Sequence, residues 1–133
     1  MQHVMRNLIS NALRFTEPGG SIVISARVNT IPTETANIDT EATKAHKQHI
    51  EVHIRDTGYG IAPEYQQRIF ERFYQIPIDH SRKVGGQGLG LTVAKMIIEL
   101  HGGQISVESI PSAGSNFILT LPLSTSKNEK NYP

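Results

Sequence analysis

Asn7, Asn11 and Arg14 stand four and three residues apart, a spacing that places all three on one face of a helix. An amide oxygen is a hard, neutral ligand, suited to a Mg2+ ion that already carries phosphate oxygens and waters. A guanidinium one turn further on can fork onto a phosphate. The same residues would also make an ordinary solvated helix face, because their types are mostly exposed. Paired asparagines are poor helix formers, so some reason to keep them there is implied. Further along, Asp56-Thr57-Gly58-Tyr59-Gly60 puts a carboxylate at the end of an alternating run. Such a carboxylate can accept from an exocyclic amine, as adenine presents, and the glycines permit a tight turn and close approach of a ring to backbone. An Asp-x-Gly turn is equally a common way to leave a strand. Gly86-Gln87-Gly88-Leu89-Gly90-Leu91 leads straight into a helical pattern, where free N–H groups attract phosphate and glycine removes obstructing side chains. A flexible linker is the alternative, and the helix that follows at once favours phosphate. No Gly-Lys-Ser/Thr follows and no strand precedes, which excludes a Walker loop and argues against a Rossmann-type dinucleotide site.

These groups need elements to hold them. Residues 2–15 carry Val4, Met5, Leu8, Ile9, Ala12 and Leu13 at three- and four-residue steps, which predicts a helix stopped by Pro18-Gly19-Gly20. Residues 21–28 alternate, with Ile22, Ile24, Ala26 and Val28 on one side, as a half-buried strand does. Residues 29–48 show no stable period and read as a long hairpin loop. Residues 49–56 alternate again and end on Asp56. Pro63 suits a first helical turn, with the helix continuing from Tyr65 to Phe73. Within Phe70-Glu71-Arg72-Phe73 and the following Tyr74, the aromatic spacing predicts core packing, compatible with anchoring a cover over residues 74–87. Helical spacing returns from Gly88 to His101 and ends at Gly102-Gly103. Residues 104–109 and 116–123 read as strands joined at Pro111 to Gly114, and residues 124–133 as a polar, frayed tail.

The chain has 133 residues, enough for one domain with a real core. Thirteen basic against twelve acidic side chains give no tract for nucleic acid or an anionic membrane surface. With no cysteine there is neither a disulfide framework nor a thiol nucleophile, which suits a reducing compartment. No apolar run approaches the roughly 20 residues needed to span a bilayer, and no signal peptide opens the chain, so the expectation is a soluble, cytoplasmic α/β domain that does not itself contact membrane. His49, Glu51 and His53 alternate on one strand but make an incomplete zinc set, and a solvent face is expected there. His101 falls at a helix C-terminus, where its charge or donor suits the carbonyl end. No histidine is given a catalytic role.

Taken in order, the blocks resemble the catalytic, ATP-binding domain of sensor histidine kinases, within the wider family of gyrase-, heat-shock-90- and MutL-type ATPases. Asn7-Leu8-Ile9-Ser10-Asn11-Ala12-Leu13-Arg14-Phe15 is similar to the family's N box, and Asp56-Thr57-Gly58-Tyr59-Gly60 to its G1 box. Phe70-Glu71-Arg72-Phe73 is similar to the F box, and Gly86-Gln87-Gly88-Leu89-Gly90-Leu91 to the G2 box. The likeness runs from about residue 1 to residue 123 and implies an α+β fold: a two-layer sandwich, its mixed, mostly antiparallel sheet of about five strands packed against three helices. Four strands are visible here, the family's first strand lying upstream of the N box. The resemblance thus also implies that residues 1–123 are an N-terminally truncated form of that domain.

The resemblance implies ATP and Mg2+ as cofactors. Asn11 would hold Mg2+, Arg14 the phosphates, and Phe15 would pack on adenine. Asp56 would accept the adenine amine, with Gly58, Gly60 and Ile61 beside the base. Gly86, Gly88 and Gly90 would flank the phosphates, Leu89 and Leu91 would also contact ATP, and residues 74–87 would form a lid. Asn7 stands where hydrolysing relatives keep a glutamate, and an amide cannot act as that base, so transfer is favoured over hydrolysis. The catalytic set would be Asn7, Asn11 and Arg14. The implied partners are a helical dimerisation domain bearing the phosphoacceptor histidine and a response-regulator receiver domain, the isolated domain being a monomer. None of the chain's own histidines is followed by glutamate, the context of the family's acceptor. The alternatives are an ATPase of the same fold, a binding module without kinase activity, and an anti-sigma-factor-type serine kinase.

Overall fold

The structure, a computed structural model, describes residues 1–32, 46–77 and 89–123. The first helical period becomes α1 (Gln2–Phe15), which buries Val4, Leu8 and Ala12 while Leu13, at the rim of the same stripe, stays 65% exposed. The alternating segments become β1 (Ile22–Pro32), β2 (His46–Asp56), β3 (Gln104–Ile110) and β4 (Gly114–Pro122). They form one sheet in the order β1-β2-β4-β3, and every described pairing is antiparallel. A second helix, α2 (Gly90–Leu100), lies beside α1 on one face of the sheet. This is an open two-layer α+β sandwich with the four strands counted from the sequence.

The core forms where helices and central strands meet. Val4, Leu8 and Ala12 pack with Ala94 and Ile98 of α2, Ile54 of β2, Phe117 and Leu119 of β4, and Ile69. The glycine pair ends α2 as expected. Gly102 takes φ +75° and Gly103 N–H donates to Ile98 O at 2.9 Å, while His101 Nδ1 donates to Ile97 O at 2.7 Å.

Three expectations are corrected. The first two strands run longer than their alternation: Asn29 pairs with His49 and the ladder continues to Pro32 opposite His46. Backbone pairing, not side-chain burial, carries these last rungs, so no period marks them; residues 33–45 lie outside the described residues. Second, the apolar side of β1 is not half-buried throughout. Ile22 packs at the edge of the core, but Ile24 and Val28 are 48% and 56% exposed, because α1 lies over β2 and neither helix packs along β1. Third, the helix expected over residues 65–73 is replaced by two 3-10 turns, Pro63–Tyr65 and Arg68–Phe70. The Phe70 carbonyl accepts from the Thr92 hydroxyl at 3.0 Å, and Tyr74 N–H turns back to Glu71 O instead. Phe70 meets Phe117 edge-on, and Tyr74 lies against Tyr65 under the Arg68 guanidinium. Phe73, expected to pack, sits at φ +60° and is 70% exposed.

The face of the sheet away from the helices carries a polar network. Arg27 and His53 both donate to Glu51 Oε1, His53 Nε2 at 2.6 Å, and Asn29 Nδ2 donates to Glu51 Oε2 at 3.2 Å. These bonds from His53 and then Arg27 hold the Glu51 carboxyl below the usual carboxylate range. With Nε2 donating, His53 Nδ1 is left to accept from Asn116 Nδ2 at 3.2 Å. The imidazole is thus engaged on both nitrogens and serves the sheet.

Candidate functional site

α1 is the floor of the site. Its Asn7 reaches across to α2, where Nδ2 donates to Gly90 O at 3.0 Å, so the asparagine face of one helix adjoins the first turn of the other. One turn on, the side chain of half-buried Asn11 makes no hydrogen bond among the described residues, and neither does that of exposed Arg14. At the helix C-terminus, Phe15 O accepts from Tyr59 N–H at 3.2 Å. That bond docks the loop after β2 onto the end of α1.

The loop begins with Asp56, 5% exposed at the last rung of β2 between Ile22 and Ser115. Gly58 N–H donates to Asp56 Oδ1 at 2.9 Å, and the carboxylate keeps a second oxygen with which to accept from an amine. The glycines prove to be needed by the fold. A Cβ at Gly58 would strike Phe15 O, and one at Gly60, which has φ +70°, would strike Ile110 O. Gly114, φ +106°, is pressed against Asp56 O in the same way. The space these glycines leave is filled by the chain's own backbone. Tyr59 O accepts from Ser112 N–H at 2.6 Å, and the Tyr59 hydroxyl donates to Glu17 Oε1 at 2.8 Å.

Three of the four sequence blocks therefore converge through direct bonds: the N box touches the start of α2 through Asn7, and the G1 loop through Phe15. The F box joins from the other side through the Thr92–Phe70 bond. Leu89 and Leu91 are half-buried at the start of α2, and Leu91 and Ile61 pack against the core. Gly86, Gly88 and most of residues 74–87 fall in residues 78–88, outside the described residues. Sequence reasoning passed over Gln66, Thr92, Ser109 and Ser115. Their partners lie up to 48 residues away, and a serine or threonine in a strand or helix carries no local signal of such a bond.

The family model for histidine kinase-, DNA gyrase B- and HSP90-like ATPases matches residues 1–125. The sensor protein SrrB of Staphylococcus aureus is 43% identical over 122 residues, 92% of this chain; the chain spans only 18% of that relative's length. Among solved structures, a mycobacterial sensor histidine kinase, MprB, superposes with TM-score 0.65 at 27% identity, covering 90% of this chain and 68% of that one. The catalytic domain of histidine kinase ThkA gives 0.62 at 29% identity, over 90% and 63%. Full-length ShkA in complex with AMPPNP gives 0.62 at 26%, over 90% and 20%. Matched over nearly its whole length in sequence and in fold, the chain belongs to the histidine kinase-, DNA gyrase B- and HSP90-like ATPase family, as an ATPase domain of the sensor histidine kinase type.

Proposed function

We propose that this chain binds Mg-ATP between α1 and α2 and presents its γ-phosphate to a histidine on a separate helical domain, for relay to an aspartate of a response regulator. The observation that carries the reading is that α1 bonds both to the start of α2, through Asn7, and to the Asp56 loop, through the Phe15 carbonyl at its C-terminus. The relative solved with AMPPNP supports the nucleotide class.

Asp56 reads the adenine amine from its buried position, with Phe15, Ile61 and Leu91 supplying apolar surface for the base. Arg14 and the backbone of the Gly86–Gly90 segment, Leu89 included, hold phosphates. The Asn11 amide oxygen, free of other described bonds, fits a hard cation, and Mg2+ bound there would neutralise phosphate charge. The chain's own contribution is positioning: phosphoryl transfer asks little covalent work of the protein. In the transfer, a ring nitrogen of the acceptor imidazole forms a bond to Pγ while the bond to the β-bridging oxygen breaks and ADP leaves. Asn7 has no basic lone pair with which to activate water, and its amide is engaged with Gly90, so transfer to the imidazole prevails over hydrolysis.

Calorimetric titration with a non-hydrolysable ATP analogue, with and without Mg2+, tests this. Binding strengthened by Mg2+ and weakened about 10- to 100-fold in Asp56→Asn is expected, the range for a hydrogen bond to a charged group. A cooperatively folded wild-type chain that binds nothing would falsify the reading.

A further inference from the structure

The far end of the Asp56 loop is held as firmly as its start. Ile61 N–H donates to Ser109 Oγ at 2.7 Å, and Ile61 O accepts from Gln66 Nε2 at 3.0 Å. The second hydrogen of the same Gln66 amide goes to Ser109 O at 2.9 Å. Ser109 Oγ in turn lies 2.8 Å from Gly114 O and 2.8 Å from Ser115 Oγ. The hydroxyl thus uses its one donor on the Gly114 carbonyl and both lone pairs on Ile61 N–H and Ser115 O–H, and the amide uses both its donors. Ser115 is the strand partner of Asp56. A closed circuit of bonds therefore runs from Ile61 through Ser109 to the residue beside the carboxylate.

We infer that Gln66 and Ser109 are positioning residues for base recognition: they clasp both sides of Ile61 and so fix the place from which Asp56 meets the base. This rests on the nucleotide reading above and makes a sharper demand on it. A carboxylate held still accepts from the 6-amino group of adenine and repels the 6-oxo group of hypoxanthine. A carboxylate at a strand end whose following loop is slack keeps some affinity but loses that discrimination, because selectivity depends on the fixed place of the polar group.

The test is calorimetric binding of ADP and of IDP to the wild-type chain and to Gln66→Glu, Ser109→Ala and Ser109→Thr, each first shown to unfold cooperatively in urea. Gln66→Glu keeps the shape and turns two donors into acceptors facing two carbonyls; Ser109→Thr keeps the hydroxyl. Gln66→Glu and Ser109→Ala are expected to weaken ADP about 5- to 10-fold, the effect of one lost hydrogen bond. IDP should change less than about 2-fold, and Ser109→Thr should retain wild-type selectivity. Should one of the two disruptive variants fail to fold, the other decides. Equal loss of ADP and IDP, or no loss of either, overturns the clasp while leaving the nucleotide reading intact. Failure of the wild-type chain to bind ADP overturns that reading and the inference with it.

Discussion

At Gly60 a single methyl group decides whether the loop after Asp56 can close, because the backbone there has φ +70° and faces the Ile110 carbonyl. Gly60→Ala is expected to lose more than the roughly 1–2 kcal/mol of the left-handed conformation alone, since the clash adds to it; urea denaturation measures this. Glu51 gives a prediction in pH. Its carboxyl is held below the ordinary range by bonds from His53 and Arg27, so the unfolded chain takes up the proton first as acid is added. The stabilisation is present above the unfolded-state value of about 4.3 and disappears as pH falls through the lower folded value. Glu51→Gln should flatten the acid limb of a stability–pH curve below about pH 4.5. Asp56 and the glycines were legible from the sequence because residue type and spacing announce them. Of the two reasons the sequence offered for the glycines, a tight turn and close approach of a ring, the carbonyls of Phe15 and Ile110 packed against Gly58 and Gly60 account for the turn.

Elements were legible wherever one face is buried, because burial imposes a period. α1, α2 and the cores of β2 and β3 follow from theirs. β1 shows the limit, since its alternation is clear yet no helix covers it. Ile24→Lys should therefore shift stability by no more than about 0.5 kcal/mol, the range of surface substitutions, where a half-buried strand position would lose several times that. The segment after Pro63 has helical aromatic spacing but folds as two tight turns, and a hydroxyl of α2 donates to the Phe70 carbonyl, which takes no i+4 backbone bond. Thr92 is buried, and Thr92→Val leaves that carbonyl unpaired at the same volume. A loss of about 1–2 kcal/mol is expected in chemical denaturation, with Thr92→Ser recovering most of it. No periodicity could have shown this bond, which joins residues 22 positions apart.

For the molecule as a whole, the two helices cover one side of the sheet and a polar network covers the other, so the helix-covered face and the opposite face are built from different residues of the same strands. Asp56 points to the helices from β2, and Glu51 and His53 lie on the far side. The chain presented alone with radioactive ATP and Mg2+ should bind nucleotide and incorporate no label, gaining a labelled partner only when a helical domain with an acceptor histidine is added; autoradiography after electrophoresis reads both. The packing of Gly58, Gly60 and Gly114 against backbone bears on how kindred sequences should be interpreted. A descendant that had abandoned its chemistry would still be obliged to keep these three glycines, because without them the hairpin end and the helix end collide. Asn11 and Arg14 are under no such obligation, their side chains being bonded to nothing described in the fold. A lineage drifting out of use would shed those two first, so their presence is the better mark of a working domain than the glycine signature that draws the eye.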